Sequence, residues 1–582
     1  MKLLEALRLL QQANREGAPF PLGLICGFYA QPLRTFLAAH LQQWLPDRRI
    51  VVREGRFGDL TGNLERYLQG PCGAAAVVLE WADLDSRLGV RVHGGWGRAR
   101  VHDICGVVRA QLDAIGGLLA AASGAGVFAV SLPGVPPAPV EPVPGWQYGQ
   151  LQAGLDTRIA SFAAGLAELP HIRLVNPGRL AALPQAERVS FASLLQTGSP
   201  YTLAAADALG EMLATAIFPP PPWKGIITDL DETLWSGVLG QAGVDGVAWD
   251  LEHRAAQHGA YQQMLQSLAD SGVLIGVASK NDPDLVKQAL RRPDLLLRSE
   301  SVYPVEANWG AKSESVARIL RAWNVGAGSV LFLDDSPLEV AEVQTAHPAM
   351  NCRIFDANPD HVASLLWELA ARFGKQTDSQ EDGLRLQGLR GMAELSGAVS
   401  GTGSLETVLA EAGGVMTIAP LHDPPDPRAL ELVNKTNQFN LNGRRIGEAD
   451  WLRFLRTPGR GAWMASYRDR FGALGKICVL TGRLEAGALH VDNWVLSCRA
   501  FGRRIEYAML AALIEQFQLA RIHFRFERTE RNTPMREMLE GLVDGPLEGE
   551  VILNVKDFVR RRRPSFMNVE LLYGTEQAHA SN

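Results

Sequence analysis

The chain has 582 residues, 47% of them hydrophobic and 21% charged, with a formal net charge of −6. That length calls for about three or four domains, and a core of such size needs no disulfide stapling. The mild acidity gives no case for general nucleic-acid binding. Cys26, Cys72, Cys105, Cys352, Cys478 and Cys498 are scattered and form no CxxC pair, which argues against a zinc site or a disulfide framework. The opening residues, MKLLEALR, carry an acid and lack a signal-peptide core. No apolar run reads as long enough to span a bilayer, so a cytosolic enzyme with no membrane partner is the expectation.

Residues 1–222 alternate apolar strands with helical patterns. Strands are predicted at 22–28, 74–80, 126–132 and 172–176, and helices at 31–44, 104–122 and 151–169. This alternation predicts an α/β domain with a mainly parallel sheet. A proline-rich loop spans 133–144, and the proline run in 218–223 closes the segment because proline cannot continue a helix.

Residues 223–374 carry the most chemistry. The stretch 225–235, GIITDLDETLW, reads as a buried strand that delivers Asp229 and Asp231 to its C-terminal end, where ligands gather in open α/β sheets. A helix is predicted at 252–271. A second apolar strand at 273–281 ends in Ser279, Lys280 and Asn281; Lys312 follows within GAKS; and a third strand at 330–337 ends in Asp334 and Asp335. Phosphoryl transfer needs a nucleophile, charge neutralisation and in-line positioning. Two aspartates two positions apart can divide that work, one attacking phosphorus and the other handling the leaving-group proton. A lone acidic pair is more often a turn or a cap; here four signals coincide in order. The order Asp-x-Asp-x-Thr, Ser, Lys, Asp-Asp is similar to the haloacid dehalogenase (HAD) superfamily of phosphotransferases. The resemblance implies Asp229 as nucleophile and Asp231 as acid and then base. It places Thr233, Ser279, Lys280 and Lys312 on the phosphate oxygens. It also implies Mg²⁺ held by Asp229, Asp231 and Asp334, with Asp335 as a further ligand or support. About fifty residues separate Asp231 from Ser279 and about thirty separate Ser279 from Lys312, roughly what a βαβ unit consumes. No cap domain is therefore expected, and an open site favours a bulky or protein-tethered substrate.

Residues 375–404 turn polar and predict a linker or helix. In residues 405–582, the block 432–442 (LVNKTNQFNLN) holds five Asn or Gln in eleven positions. Buried amides need partners. Asn434, Lys435, Asn437, Gln438 and Asn440 are candidate substrate or pantetheine contacts, with a capped loop as the alternative. Strands predicted at 461–469, 474–483 and 489–496 lead into SCRAFGRRIEYAML (497–510), which reads strand, glycine turn, helix. This resembles the pantetheine-binding turn of the GNAT acyltransferase fold, with Arg499, Gly502, Arg503 and Arg504 at the turn; backbone N–H groups there grip phosphate. The GNAT pattern has Gly or Ala where Arg504 stands, which leaves a carrier's phosphopantetheine arm as an occupant besides acetyl-CoA. The arginines and the helix start would raise the thiolate fraction of Cys498, whose alternative reading is a small buried hydrophobe. His490 and Asp492 are a candidate base and orienter, with a β-bulge as the alternative. The arginines at 560–563 form a solvated face or a surface for an acidic carrier.

Together, DLDETLWSGVLG (229–240), KTNQFNL (435–441) and LSCR (496–499) resemble the FkbH-like family, in family order over most of the chain. The N-terminal segment is similar to SGNH hydrolases. The resemblance implies transfer of a D-glyceryl group from 1,3-bisphosphoglycerate to the phosphopantetheine thiol of an acyl carrier protein, with loss of phosphate, for polyketide biosynthesis. Cys498 then either relays the glyceryl group as a thioester or is merely packed. Gly27 to Gln31 stand where an active SGNH enzyme has Gly-Asp-Ser, so docking or a lid is expected there. The alternatives are a stand-alone Mg²⁺-dependent HAD phosphatase with accessory domains, and a non-catalytic docking scaffold.

Overall fold

A strand covered on both faces must be apolar throughout, whereas one covered on a single face alternates. Both kinds occur in the computed structural model, which describes every residue except 14–16, 71–72, 125, 137–138, 221–222, 376–379, 403, 423–425, 546, 548 and 573–582. Cys72 and parts of the two proline runs and of the polar 375–404 stretch lie outside the described residues. The chain is a mixed α/β, multidomain protein that divides into two compact units, residues 1–220 with 447–454, and residues 221–446 with 455–582.

The first unit holds five parallel strands, β1 (Ala18–Ile25), β2 (Arg48–Glu54), β3 (Ala74–Val78), β4 (Val127–Ser131) and β5 (Ile172–Leu174), in the order β2-β1-β3-β4-β5. The interior strands β3 and β4 are buried at every position. One core cluster gathers Leu33, Phe36, Leu209 and Leu213 with β1, β3 and β4 residues, and a second gathers Ile104, Val108, Leu112, Leu151 and Leu155. The segment Arg98–Ala121 is long and apolar enough to cross a membrane by length and composition, which corrects the expectation that no such run exists. In this unit its Ile104, Val108, Leu112, Ile115 and Leu119 are core residues. The helix Glu448–Arg456 adds Glu448, 3.5 Å from Arg173, and Asp450, 3.3 Å from Arg48.

The second unit contains two sheets. In the first, β6 (Gly225–Thr228), β7 (Leu274–Ser279), β8 (Val302–Ala307), β9 (Val330–Asp334) and β10 (Asn351–Ile354) run parallel in the order β10-β9-β6-β7-β8. The chain leaves β6 toward β7 and returns on its other side at β9, so the switch point lies at the C-terminal ends of β6 and β9. Strands β6, β7 and β9 are buried throughout. The polar stretch after this sheet continues as a helix, Gln380–Thr402, whose Leu389 joins the core around Val316, Ile319 and Trp323.

The second sheet of this unit comprises β11 (Gly414–Pro420), β12 (Phe439–Asn440), β13 (Arg460–Asp469), β14 (Gly472–Glu485), β15 (Ala488–Leu496), β16 (Arg521–Phe526), β17 (Gly549–Asn554) and β18 (Met567–Leu571). Its path is β17-β16-β15-β14-β13-β11-β18, with β12 beside β15. The helix Ile505–Phe517 shares its core through Met509, Leu510 and Leu513.

Candidate active site

The site is built where β6 and β9 end side by side. Asp229 N–H donates to Leu333 O at 2.9 Å, carrying the ladder one residue past β6 and setting Asp229 beside Asp334. Leu230 is buried, and its carbonyl accepts from the backbone N–H groups of Thr233, Leu234 and Trp235. Glu232 takes the left-handed conformation, φ 53°, a geometry that costs a side chain about 1–2 kcal/mol. The turn it makes sends Thr233 and Trp235 into the interior.

The centre of the site is Lys312. Its Nζ lies 2.9 Å from Asp229 Oδ1, 2.9 Å from Asp334 Oδ2 and 2.7 Å from Glu339 Oε2, and it donates to Ala278 O at 3.1 Å. Burial opposes charge on this amine, but Asp229 and Asp334 outweigh that and hold its pKa above the ordinary lysine range. Burial also raises the pKa of Asp229 against the pull of Lys312, and with the charge of Asp229 it lifts Asp334 to about 7. Asp335 is raised by burial and then by Asp229. Burial works against ionised Glu339 too, but bonds from Lys312 and Lys280 lower its pKa; Lys280 Nζ is 2.9 Å from its Oε1.

The remaining predicted HAD residues frame this centre. Asp231 Oδ1 accepts from Trp235 Nε1 at 3.0 Å and Leu239 N at 3.1 Å, and its Oδ2 accepts from Asn281 Nδ2 at 3.0 Å. Asn281 also donates to Ser279 Oγ at 3.0 Å, at the end of β7. The Thr233 hydroxyl accepts from Asp335 N at 3.1 Å and so ties the two loops together. Glu339 and Asn281 were not anticipated from sequence. Glu339 sits in the first turn of the helix Pro337–Ala346, where an acid reads as ordinary helix-start chemistry. Asn281, two positions beyond Ser279, was the available signal for the other.

Whether a divalent ion fits can be judged from the oxygens. Asp229, Asp334 and Glu339 bring ligand atoms within 4.8 Å of one another. Asp229 Oδ1 and Asp334 Oδ2 are buried and, although close to Lys312, take no aligned hydrogen bond. An all-oxygen donor set with spare lone pairs suits a hard cation.

The C-terminal candidates fall elsewhere. Asn434 exchanges bonds with Ile446 at 2.9 and 2.8 Å; Asn440 donates to Thr436 O at 2.9 Å and accepts from Gly443 N at 2.8 Å. Lys435 pairs with Glu431, Asn437 is half-buried, and Gln438 Nε2 donates to Asn324 Oδ1 at 2.8 Å. His490 stacks on His523 with ring centroids 4.3 Å apart, 3.8 Å from Glu550, whereas Asp492 accepts from Arg460 at 3.0 Å and lies at the bulge where β14 skips a partner. Arg499 donates to Lys476 O at 3.3 Å. Gly502 has φ 80°; Arg503 is buried against Asp469 at 2.6 Å; and Arg504 is bound by Pro564 O at 2.8 Å and Glu406 at 3.1 Å. Arg560 and Arg561 pair with Asp557 and Asp544. Burial pushes the Cys26 and Cys478 thiols up to about 12, outside the reactive range. Cys498 is half-buried beside β15, and its thiol acts electrostatically on Lys224. Lys224 precedes β6 and Asp229 follows it, so these two residues stand about 16 Å apart along the strand.

A solved structure of the N-terminal part of the protein BF1531 from Bacteroides fragilis, containing a phosphatase domain complexed with Mg, is similar to this chain. It is 18% identical, with 65% of this chain and 100% of that one covered and a TM-score of 0.50. At this identity the likeness shows a shared fold. An uncharacterized protein from Corynebacterium glutamicum is also 18% identical, over 27% of this chain and 99% of its own, with a TM-score of 0.19, and carries no argument. The sequence matches no known protein-family description and none of the curated proteins.

Proposed function

We propose that this chain is a Mg²⁺-dependent HAD-type phosphotransfer enzyme with Asp229 as its nucleophile. The observation that carries this reading is that Asp229 and Asp334, on neighbouring strand ends, each lie 2.9 Å from one buried amine. Asp229 attacks phosphorus, the ester oxygen leaves with a proton from Asp231, and an aspartyl-phosphate remains. Asp231 then takes a proton from water, which attacks phosphorus and frees Asp229 and inorganic phosphate. Lys312 holds phosphate oxygens and restrains the neighbouring carboxylates, and Ser279 supports the same oxygens. Asp229, Asp334 and Glu339 would hold the Mg²⁺ named for the Bacteroides fragilis structure, and it would supply charge stabilisation at the phosphoryl group.

The finer reading is D-glyceryl transfer from 1,3-bisphosphoglycerate to an acyl carrier protein of polyketide biosynthesis. In it a thiolate attacks the acyl carbon and the acyl phosphate departs with the bonding electrons, the remaining 3-phosphate ester is hydrolysed at Asp229 through the aspartyl-phosphate steps above, and the thioester passes the glyceryl group to the carrier's phosphopantetheine thiol, freeing the first thiolate. It is supported by the KTNQFNL and LSCR motifs and by the exposed Arg560 and Arg562. In the same reading residues 1–222 are an SGNH-like docking domain, 223–374 the HAD-like domain, 375–404 a connecting helix and 405–582 a GNAT-like domain, all cytoplasmic. A stand-alone phosphatase is the second reading. The distance from Lys224, beside Cys498, to the Asp229 end of β6 favours it over a single merged centre.

Intact-mass analysis tests these readings. The chain is mixed with Mg²⁺, 1,3-bisphosphoglycerate and a holo carrier protein. A glyceryl adduct on the carrier supports transfer. Phosphate release without an adduct supports the stand-alone phosphatase. No phosphate release at all overturns both.

A further inference from the structure

Lys224 stands at the foot of the central sheet, on the opposite end of β6 from Asp229. Its backbone is fixed there, with N–H donating to Ser329 O at 2.7 Å and the carbonyl accepting from Leu274 N at 3.0 Å. Three other parts of the chain are tied to the same end. Gln438, in the Asn-rich block that carries Lys435, bonds Asn324 in the loop before β9. Arg385, on the helix Gln380–Thr402, reaches Gly272 O at 3.4 Å in the loop before β7. Asn532, next to Arg531, donates to Asn440 O at 3.0 Å, back into the Asn-rich block.

The charges that these bonds bring together have one sign. Lys224 is acted on by Arg385, Lys435, Arg531 and the Cys498 thiol, and burial followed by Arg385 lowers its pKa. Its amine has no hydrogen bond or ion pair among the described residues. Glu431, the carboxylate beside Lys435, is already shared between Arg428 at 2.7 Å and Lys435 at 2.5 Å. A half-buried amine surrounded by cations is stabilised by an anion, and clustered charges of one sign concentrate counter-ions.

We infer that Lys224, Arg385, Lys435 and Arg531 form a second anion-binding site, separate from the Asp229 centre, that holds the phosphate-ester end of a ligand beside Cys498. The inference does not depend on turnover at Asp229. The phosphate ester can belong to a small phosphorylated metabolite or to a phosphopantetheine arm, because the cations recognise the shared phosphate.

Alkylation of Cys498 in the full chain, followed by peptide mass spectrometry, tests this. The ratio of its rates with anionic iodoacetate and neutral iodoacetamide is compared with that of a small free thiol. The expected ratio is elevated by about tenfold or more, and reduced in Lys224→Gln and in Arg531→Gln. Arg531 is exposed, so that variant reports even if Lys224→Gln fails to fold. Glycerol 3-phosphate or phosphopantetheine should slow alkylation, and the stronger protector identifies the ligand source; glycerol and unphosphorylated pantetheine should not. Protection should persist in Asp229→Asn. A ratio equal to the free thiol's, no alkylation by either reagent, no protection by either phosphate ester, or protection that vanishes in Asp229→Asn overturns the inference.

Discussion

Lys312 is the residue on which the carboxylate cluster turns, because its one positive charge faces Asp229, Asp334 and Glu339 at once. Removing one partner from a buried charged group costs about 3–5 kcal/mol, since the remaining charges lose their compensation. Lys312→Gln should therefore lower the melting temperature substantially in metal-free buffer. A divalent cation would neutralise the same carboxylates, so adding Mg²⁺ should raise the melting temperature more in Lys312→Gln than in the parent chain. Differential scanning calorimetry with and without Mg²⁺ reads this directly; equal Mg²⁺ shifts would mean that the ion does not bind among these oxygens. Asp229→Asn tests the chemistry rather than the charge balance. It keeps the shape and the ladder bond to Leu333 but removes the nucleophile, so phosphate release should fall at least about a thousandfold with unchanged circular dichroism. Residual turnover near the parent rate would transfer the nucleophile's role elsewhere.

Strand ends set the chemistry at the scale of elements, and the first unit carries an instructive case. Glu80 and Asp83 follow β3, next to the β1/β3 switch point. Burial raises the carboxyl of Glu80 to about 7, despite its bond from the Tyr201 hydroxyl, and that of Asp83 to about 6. A carboxyl with a raised folded-state pKa contributes stability that is complete below its unfolded value and is lost as pH rises through the folded one. From pH 4.5 to 8 Glu80 should thus cost the fold on the order of 1–3 kcal/mol. Glu80→Gln keeps an acceptor for Tyr201 and cannot ionise. Its melting temperature relative to the parent chain should climb between pH 5 and pH 8, as measured by thermal denaturation at both pH values. A constant difference would show that Glu80 ionises freely. The same elements explain what could be read in advance. The interior strands β3, β4, β6, β7 and β9 are apolar at nearly every position because both their faces are covered, so their run lengths were visible. Edge strands β2, β8 and β10 are partly exposed and carry charges, as in RRIVVRE and NCRI, and their patterns did not stand out. Asp229, Ser279 and Asp334 lie at ends of visible strands. Glu339 needed a tertiary fact, the approach of one helix start to Lys312, that no local pattern encodes.

At the scale of the whole molecule, chain order and spatial grouping diverge. Residues 447–454 lie far along the sequence yet group with the first unit, where Glu448 and Asp450 meet Arg173 and Arg48; a boundary drawn from composition cannot register a short excursion of that kind. The second unit places the two candidate side chains at opposite ends of one buried strand, Asp229 after β6 and Cys498 near Lys224 before it. Groups separated by more than about 7–10 Å with no shared partners act additively. Cys498→Ala should consequently leave phosphate release from a small phosphate ester within about twofold of the parent rate, and the double variant with Asp229→Asn should match Asp229→Asn alone. If Cys498 relays an acyl group, the same Cys498→Ala chain should lose any enzyme-bound thioester detectable by intact mass while it keeps its phosphate release. A matched collapse of both activities in Cys498→Ala would instead require the two ends of β6 to be coupled. The rigidity of a strand buried on both faces opposes that coupling, because it offers no second arrangement through which one end could report to the other.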